Sequence, residues 1–99
     1  MRLFHRTYRR NADAILRDGF RNATGNYLTK HLYKGVWFSN EILDENEGAN
    51  GDTVLSIDLP EEVIANYEWI EEGKPYREWL IPARVANGSE VTEIPESEE

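Results

Sequence analysis

The chain has 99 residues and a net charge of −8, with 39% apolar and 30% charged residues. That length suits one modest core, and the absence of cysteine removes disulfides, thiolate nucleophiles and cysteine–zinc sites. No apolar stretch approaches the span of a bilayer and the N-terminus lacks a signal-peptide core, so the expectation is a cytoplasmic protein with no membrane partner.

Leu3 to Tyr8 reads as a first strand. Asn11 is placed to cap a helix running to Asp18, with Ala12, Ile15 and Leu16 at helical spacing. Gly19 closes that helix and Phe20 folds back onto it. Residues 22–34 are polar and broken by Gly25, which predicts a loop or a short irregular helix. Gly35 to Ser39 is a short aromatic strand, and Asn40 to Gly51 an acidic segment with one helical turn. Thr53 to Leu59 alternates, with Leu55, Ile57 and Leu59 on one face, which predicts a half-buried strand. Pro60-Glu61-Glu62 starts a helix that ends near Asn66. Tyr67 to Ile70 and Tyr76 to Ile81 read as strands joined by a turn over 71–75, and Val91 to Ile94 as a last strand. Residues 1–94 form a single α+β domain of six short strands and two or three helices, and 95–99 a disordered acidic tail.

Two titratable residues interrupt apolar strands: His5 in the first and Glu78 in the run Tyr76 to Ile81. Each must be hydrogen-bonded, outward-facing or functional, because an unpaired buried polar group costs several kcal/mol, on the order of 2–7. Taken singly, His5 reads as a histidine bonded to backbone, Glu78 as a strand residue facing solvent or a partner for Arg77 or Arg84, and Trp37 as core. Phosphate-loop, dinucleotide and nucleophile-elbow patterns are absent, and the Asp44, Glu45 and Glu47 cluster misses calcium-loop spacing. Charge is unevenly distributed: residues 1–34 carry eight Lys or Arg against Asp13 and Asp18, and residues 35–99 carry three against seventeen acids. The basic third is either an anion-binding face or a complement to the acidic remainder. The overall acidity disfavours nonspecific nucleic-acid binding.

Three segments together carry a family resemblance. His5-Arg6-Thr7 precedes a helix that stops at Asp18-Gly19-Phe20; Gly35-Val36-Trp37-Phe38-Ser39 follows; Tyr76-Arg77-Glu78-Trp79-Leu80-Ile81 comes last. In that order the chain resembles the ADP-ribosyltransferase fold, in the histidine–aromatic–glutamate branch shared with the poly-ADP-ribose polymerases. The resemblance implies a small, mostly antiparallel split sheet. It also implies cleavage of the nicotinamide–ribose bond of NAD⁺ through an oxocarbenium-like transition state. In that picture Glu78 stabilises the developing charge and polarises the nucleophile, and His5 holds the adenosine ribose. The Arg6 backbone grips the carboxamide and Thr7 buttresses the turn. Trp37, or Tyr27 or Tyr33 from the loop, stacks on nicotinamide, with Ser39 following the aromatic pair. Arg9 and Arg10 meet the pyrophosphate. No metal is expected. The acceptor stays open among protein, nucleic acid, small molecule and water. Two other readings stand beside this one: a noncatalytic binding module of the same fold, and an acidic interaction protein that engages a basic partner.

Overall fold

The computed structural model describes residues 1–26 and 32–95, and the side chains of those outside 23–33. Among the described residues it has seven strands and three α-helices. They are β1 (Arg2–Thr7), α1 (Arg9–Asp18), β2 (Ala23–Asn26), β3 (Leu32–Ser39), β4 (Thr53–Asp58), α2 (Glu61–Ile64), β5 (Glu68–Trp69), β6 (Glu78–Ile81), α3 (Ala83–Ala86) and β7 (Thr92–Ile94). Every paired strand is antiparallel, in the order β5-β6-β3-β1-β4-β7, with β2 added to β3. This is the expected α+β domain with a mostly antiparallel sheet.

The sheet is held unevenly. β1 and β4 pair along six residues, from Arg2↔Asp58 to Thr7↔Thr53. β1 and β3 share the single pair Phe4↔Ser39. Farther along, β3 pairs with β2 through Ala23↔Gly35 to Asn26↔Leu32. Beyond that one pair β1 and β3 part, which splits the sheet.

The core forms where the apolar runs face α1, α2 and α3. Leu3, Phe38, Leu55, Ile57, Trp79 and Ile81 are buried there with Ala12, Phe20, Ile64 and Ala86. At about 25 cal/mol per Å² of apolar area, such residues supply the main driving force for folding.

Several expectations are corrected. Residues 22–34 are not a plain loop: 23–26 and 32–35 pair as strands, and 27–31 lie outside the described residues. The helix cap is not Asn11. α1 begins at Arg9, whose N–H bonds Asp52 Oδ1 at 2.9 Å, so a distant aspartate satisfies the first turn. Gly19 does close the helix, with φ +88 and its N–H on the Ile15 carbonyl at 2.8 Å. β4 is buried on both faces from Thr53 to Ile57 rather than on one, and it is flanked within the sheet by β1 and β7. Helix α3 had no predicted counterpart; Asn22 Oδ1 accepts from the Ala83 N–H at 2.7 Å and starts it. The acidic segment holds its one predicted helical turn at Glu45–Glu47, closed by a capping box between Asp44 and Glu47. The predicted tail falls outside the described residues beyond Pro95. Among the described residues no helix is long and apolar enough to cross a membrane.

Candidate active site at the split of the sheet

Backbone alternation explains why the split exposes a particular stretch of chain. The Leu59 N–H bonds the Met1 carbonyl at 3.0 Å, while the Asp58 N–H turns to Ser89 Oγ at 3.0 Å. Odd residues of β4 thus face β1, and Leu3, His5 and Thr7 face them in return. Phe4 and Arg6 direct their backbone groups toward β3. In β3 the Asn40 N–H reaches the Arg77 carbonyl at 3.1 Å, so even residues face β6 and Trp37 and Ser39 face β1. Phe4 meets Ser39 accordingly. Two residues on, the ladder between Arg6 and Trp37 does not form; the His5 ring enters instead, its Nδ1 2.8 Å from the Trp37 carbonyl.

A carbonyl only accepts, so Nδ1 carries the proton and Nε2 is left as an acceptor. The ring packs edge-on against Phe20 at 5.7 Å and tilted against Phe38 at 5.6 Å. Burial pushes the His5 pKa below its usual 6.5, against the opposing effect of the Trp37 bond, and the imidazole is neutral at pH 7.

The register sets Phe4, Ser39, Glu78 and Trp69 in one line across four strands, on one face. Trp37 and Arg6, two residues from Ser39 and Phe4, share it. By simple pleating His5 belongs to the opposite face, yet it sits where the strands part and lines cavities on both sides. One cavity, of about 360 Å³, is lined by His5, Arg6, Trp37, Ser39, Lys74 and Glu78, with Leu43 and residues 47–50 as its outer wall. The other, of about 300 Å³, runs from His5 and Thr7 along α1 past Asn11 to Arg17 and Arg21.

In the first cavity Glu78 is largely shielded, with 17% of its side chain exposed, and its Oε2 lies 2.5 Å from Lys74 Nζ. Lys74 also reaches Glu71 at 3.4 Å. Burial alone would lower the Lys74 pKa, but the bond to and charge of Glu78, with Tyr76 and Glu71, outweigh it and hold the ammonium above its ordinary value. The Trp37 ring is braced edge-on by Trp69 at 5.5 Å. Ser39 is buried and its Oγ donates to the Glu41 carbonyl at 2.6 Å. Arg6 turns its side chain to the outer wall, with Nε on the Leu43 carbonyl at 2.7 Å and Nη1 on the Gly51 carbonyl at 3.2 Å. Tyr76 adds a third tie, to the Glu47 carbonyl at 3.1 Å. Gly51 rests on the Thr7 backbone so closely that an added Cβ would lie 2.3 Å from it.

The structure thus brings His5, Arg6, Trp37, Ser39 and Glu78 to one cavity, and His5 and Thr7 to the other. It does not bring Arg9, which is tied to Glu93 at 2.9 Å and Asp13 at 2.8 Å, holding α1 to β7 as an internal charge complement. Arg10 is exposed and lines neither of these cavities. Tyr27 and the side chain of Tyr33 lie outside the described residues. Sequence reasoning missed Lys74, Arg17, Arg21 and Asn11 as lining residues. Helical spacing does put Asn11 and Ile15 four apart on one face, which could have flagged the α1 wall. Among the described residues no group of three or more His, Asp or Glu is arranged to hold a metal ion.

No family model matches the chain, and comparisons with curated proteins and with solved structures found no match.

Proposed function

We propose that this chain cleaves the nicotinamide–ribose bond of NAD⁺, as an ADP-ribosyltransferase or NAD⁺ glycohydrolase of the histidine–aromatic–glutamate type. The observation that carries the reading is one cavity lined by His5, Trp37 and Glu78, from three strands far apart in sequence. The nicotinamide riboside end occupies that cavity and the adenosine end the α1 cavity, with His5 between them. Both volumes fall at the small end of the ordinary ligand range of about 300–1,000 Å³, as suits two halves of one dinucleotide.

The chemistry follows from the groups present. The C1–N bond of the nicotinamide ribose breaks, and its electron pair leaves with neutral nicotinamide. Positive charge develops on the ribose, where the Glu78 carboxylate stabilises it. The acceptor then bonds C1 and gives up its proton to the Glu78 carboxylate, which polarises the incoming group and passes the proton on to water. His5 Nε2 accepts from a ribose hydroxyl, a role fixed by the tautomer its Nδ1 bond imposes. Trp37 supplies the aromatic surface for the nicotinamide ring. Arg21, with Arg17 paired to Asp18 at 3.0 Å, rather than Arg9 and Arg10, supplies positive charge along the second cavity. The expectation of a cytoplasmic protein goes with this reading.

A second reading is a binding module of the same fold without turnover. Its support is the outer wall, where Leu43 and residues 47–50 contribute no aromatic side chain to close over nicotinamide. Calorimetric titration with NAD⁺, followed by assay of the same mixture for free nicotinamide, separates the readings. Binding with nicotinamide release is expected. Binding without release favours the module, and no binding contradicts both.

A further inference from the structure

The carboxylate that the proposed chemistry uses does not stand alone. Glu78 Oε2 is 2.5 Å from the Lys74 ammonium, which is itself 3.4 Å from Glu71 and 5.4 Å from the centre of the Tyr76 ring. The two side chains of the closest pair are only 21% and 17% exposed and line the same cavity as His5. The intervening turn is built for this contact: Gly73 takes φ +83, and β5 pairs with β6 through Trp69↔Glu78, which brings Lys74 back over the carboxylate. Lysine is a costly choice for a shielded position, because desolvating an ammonium is offset only by close acidic partners. A surface tether would not need it.

We propose that Lys74 is a positioning residue that clamps one oxygen of the Glu78 carboxylate and leaves the other aimed into the cavity. This rests on the NAD⁺ reading. A carboxylate fixed before the reaction spends nothing on reorientation when charge develops on the ribose. A lone ammonium there would oppose that charge. Glu71 offsets it: two carboxylates and one ammonium leave the cluster at net −1, so the cavity keeps the sign that an oxocarbenium-like centre requires. Lys74 acts through Glu78 and not on the substrate.

The test is steady-state nicotinamide release by the full chain carrying Lys74→Met, Lys74→Arg, Glu78→Gln, or Lys74→Met with Glu78→Gln, with NAD⁺ affinity measured on each. Lys74→Met should lower kcat by about 10- to 100-fold while KM and NAD⁺ affinity change by no more than about twofold. Lys74→Arg should recover most of the rate, and the double variant should be no slower than Glu78→Gln alone. A kcat equal to or above wild type in Lys74→Met, a change confined to KM, or additive losses in the double variant would overturn the proposal and leave the NAD⁺ reading standing. Absence of nicotinamide release by the wild-type chain would overturn both. The affinity measured on each variant also separates a misfolded chain from a slow one.

Discussion

His5 donates its Nδ1 hydrogen to the Trp37 carbonyl at 2.8 Å, at the point where β1 and β3 stop pairing. This bond does the work of a missing ladder step. It fixes the ring in the split, orients Nε2 as an acceptor, and ties two of the three residues of the proposed NAD⁺ cleft together.

Replacing His5 by Ala removes both the acceptor and the wall between the two cavities. The expected loss is about 1–2 kcal/mol of NAD⁺ binding, or roughly 5- to 30-fold in Kd. Calorimetry on the variant checks it, and an unchanged Kd would remove His5 from the site.

Acid should weaken the fold through the same residue. The folded-state pKa of His5 lies below its unfolded value of 6.5, so the unfolded chain binds the extra proton first. Stability from neutral burial is full above pH 6.5 and is lost as pH falls through the folded pKa. Denaturant midpoints measured on either side of 6.5, from about pH 7.5 to about pH 5.5, should therefore decline on acidification. The slope should be shallower in His5→Gln, and an equal slope would assign the loss to other groups.

Gly48 in the cavity wall and Gly51 just beyond it offer a matched contrast. Both have positive φ, +135 and +89, but only at Gly51 would a Cβ meet backbone, the Thr7 carbonyl at 2.3 Å. Gly51→Ala should cost about 2–4 kcal/mol, and Gly48→Ala about 1 kcal/mol. Chemical denaturation of the two variants gives the comparison. Equal costs would mean that the wall does not press on β1.

Arg6 binds the wall through two carbonyls, those of Leu43 and Gly51. Hydrogen bonds from a charged donor are worth about 1.5–3 kcal/mol each, although exposure of this loop reduces that. Arg6→Ala should speed amide exchange over residues 43–51 more than in the β1–β4 ladder. Uniform acceleration across the chain would instead indicate global destabilisation.

The strands that carry the site were legible because apolar runs ending in Ser39 and Ile81, and the one around His5, have few other ways to fold. Their common cavity was anticipated from the order of the motifs. What escaped was nonlocal. The cap of α1 comes from Asp52 and that of α3 from Asn22, partners that no window of neighbouring residues reveals. β4 reads as half-buried because Ser56 and Asp58 alternate with apolar residues, but Ser56 is buried on a strand that β1 and β7 flank from distant parts of the chain. The resemblance sends Arg9 to the pyrophosphate, but Glu93, at the other end of the chain, claims it. Lys74 reads as a turn residue until the hairpin closes it onto Glu78.

The central claim is that Glu78 acts on the ribose of NAD⁺ in a cleft shared with His5 and Trp37. The most direct measurement is the rate of nicotinamide release from NAD⁺ by the wild-type chain and by Glu78→Gln, an isosteric change that retains the fold. The account predicts release by the wild type and a loss of at least about 100-fold in the variant, with NAD⁺ still bound. Equal rates in the two proteins would contradict it.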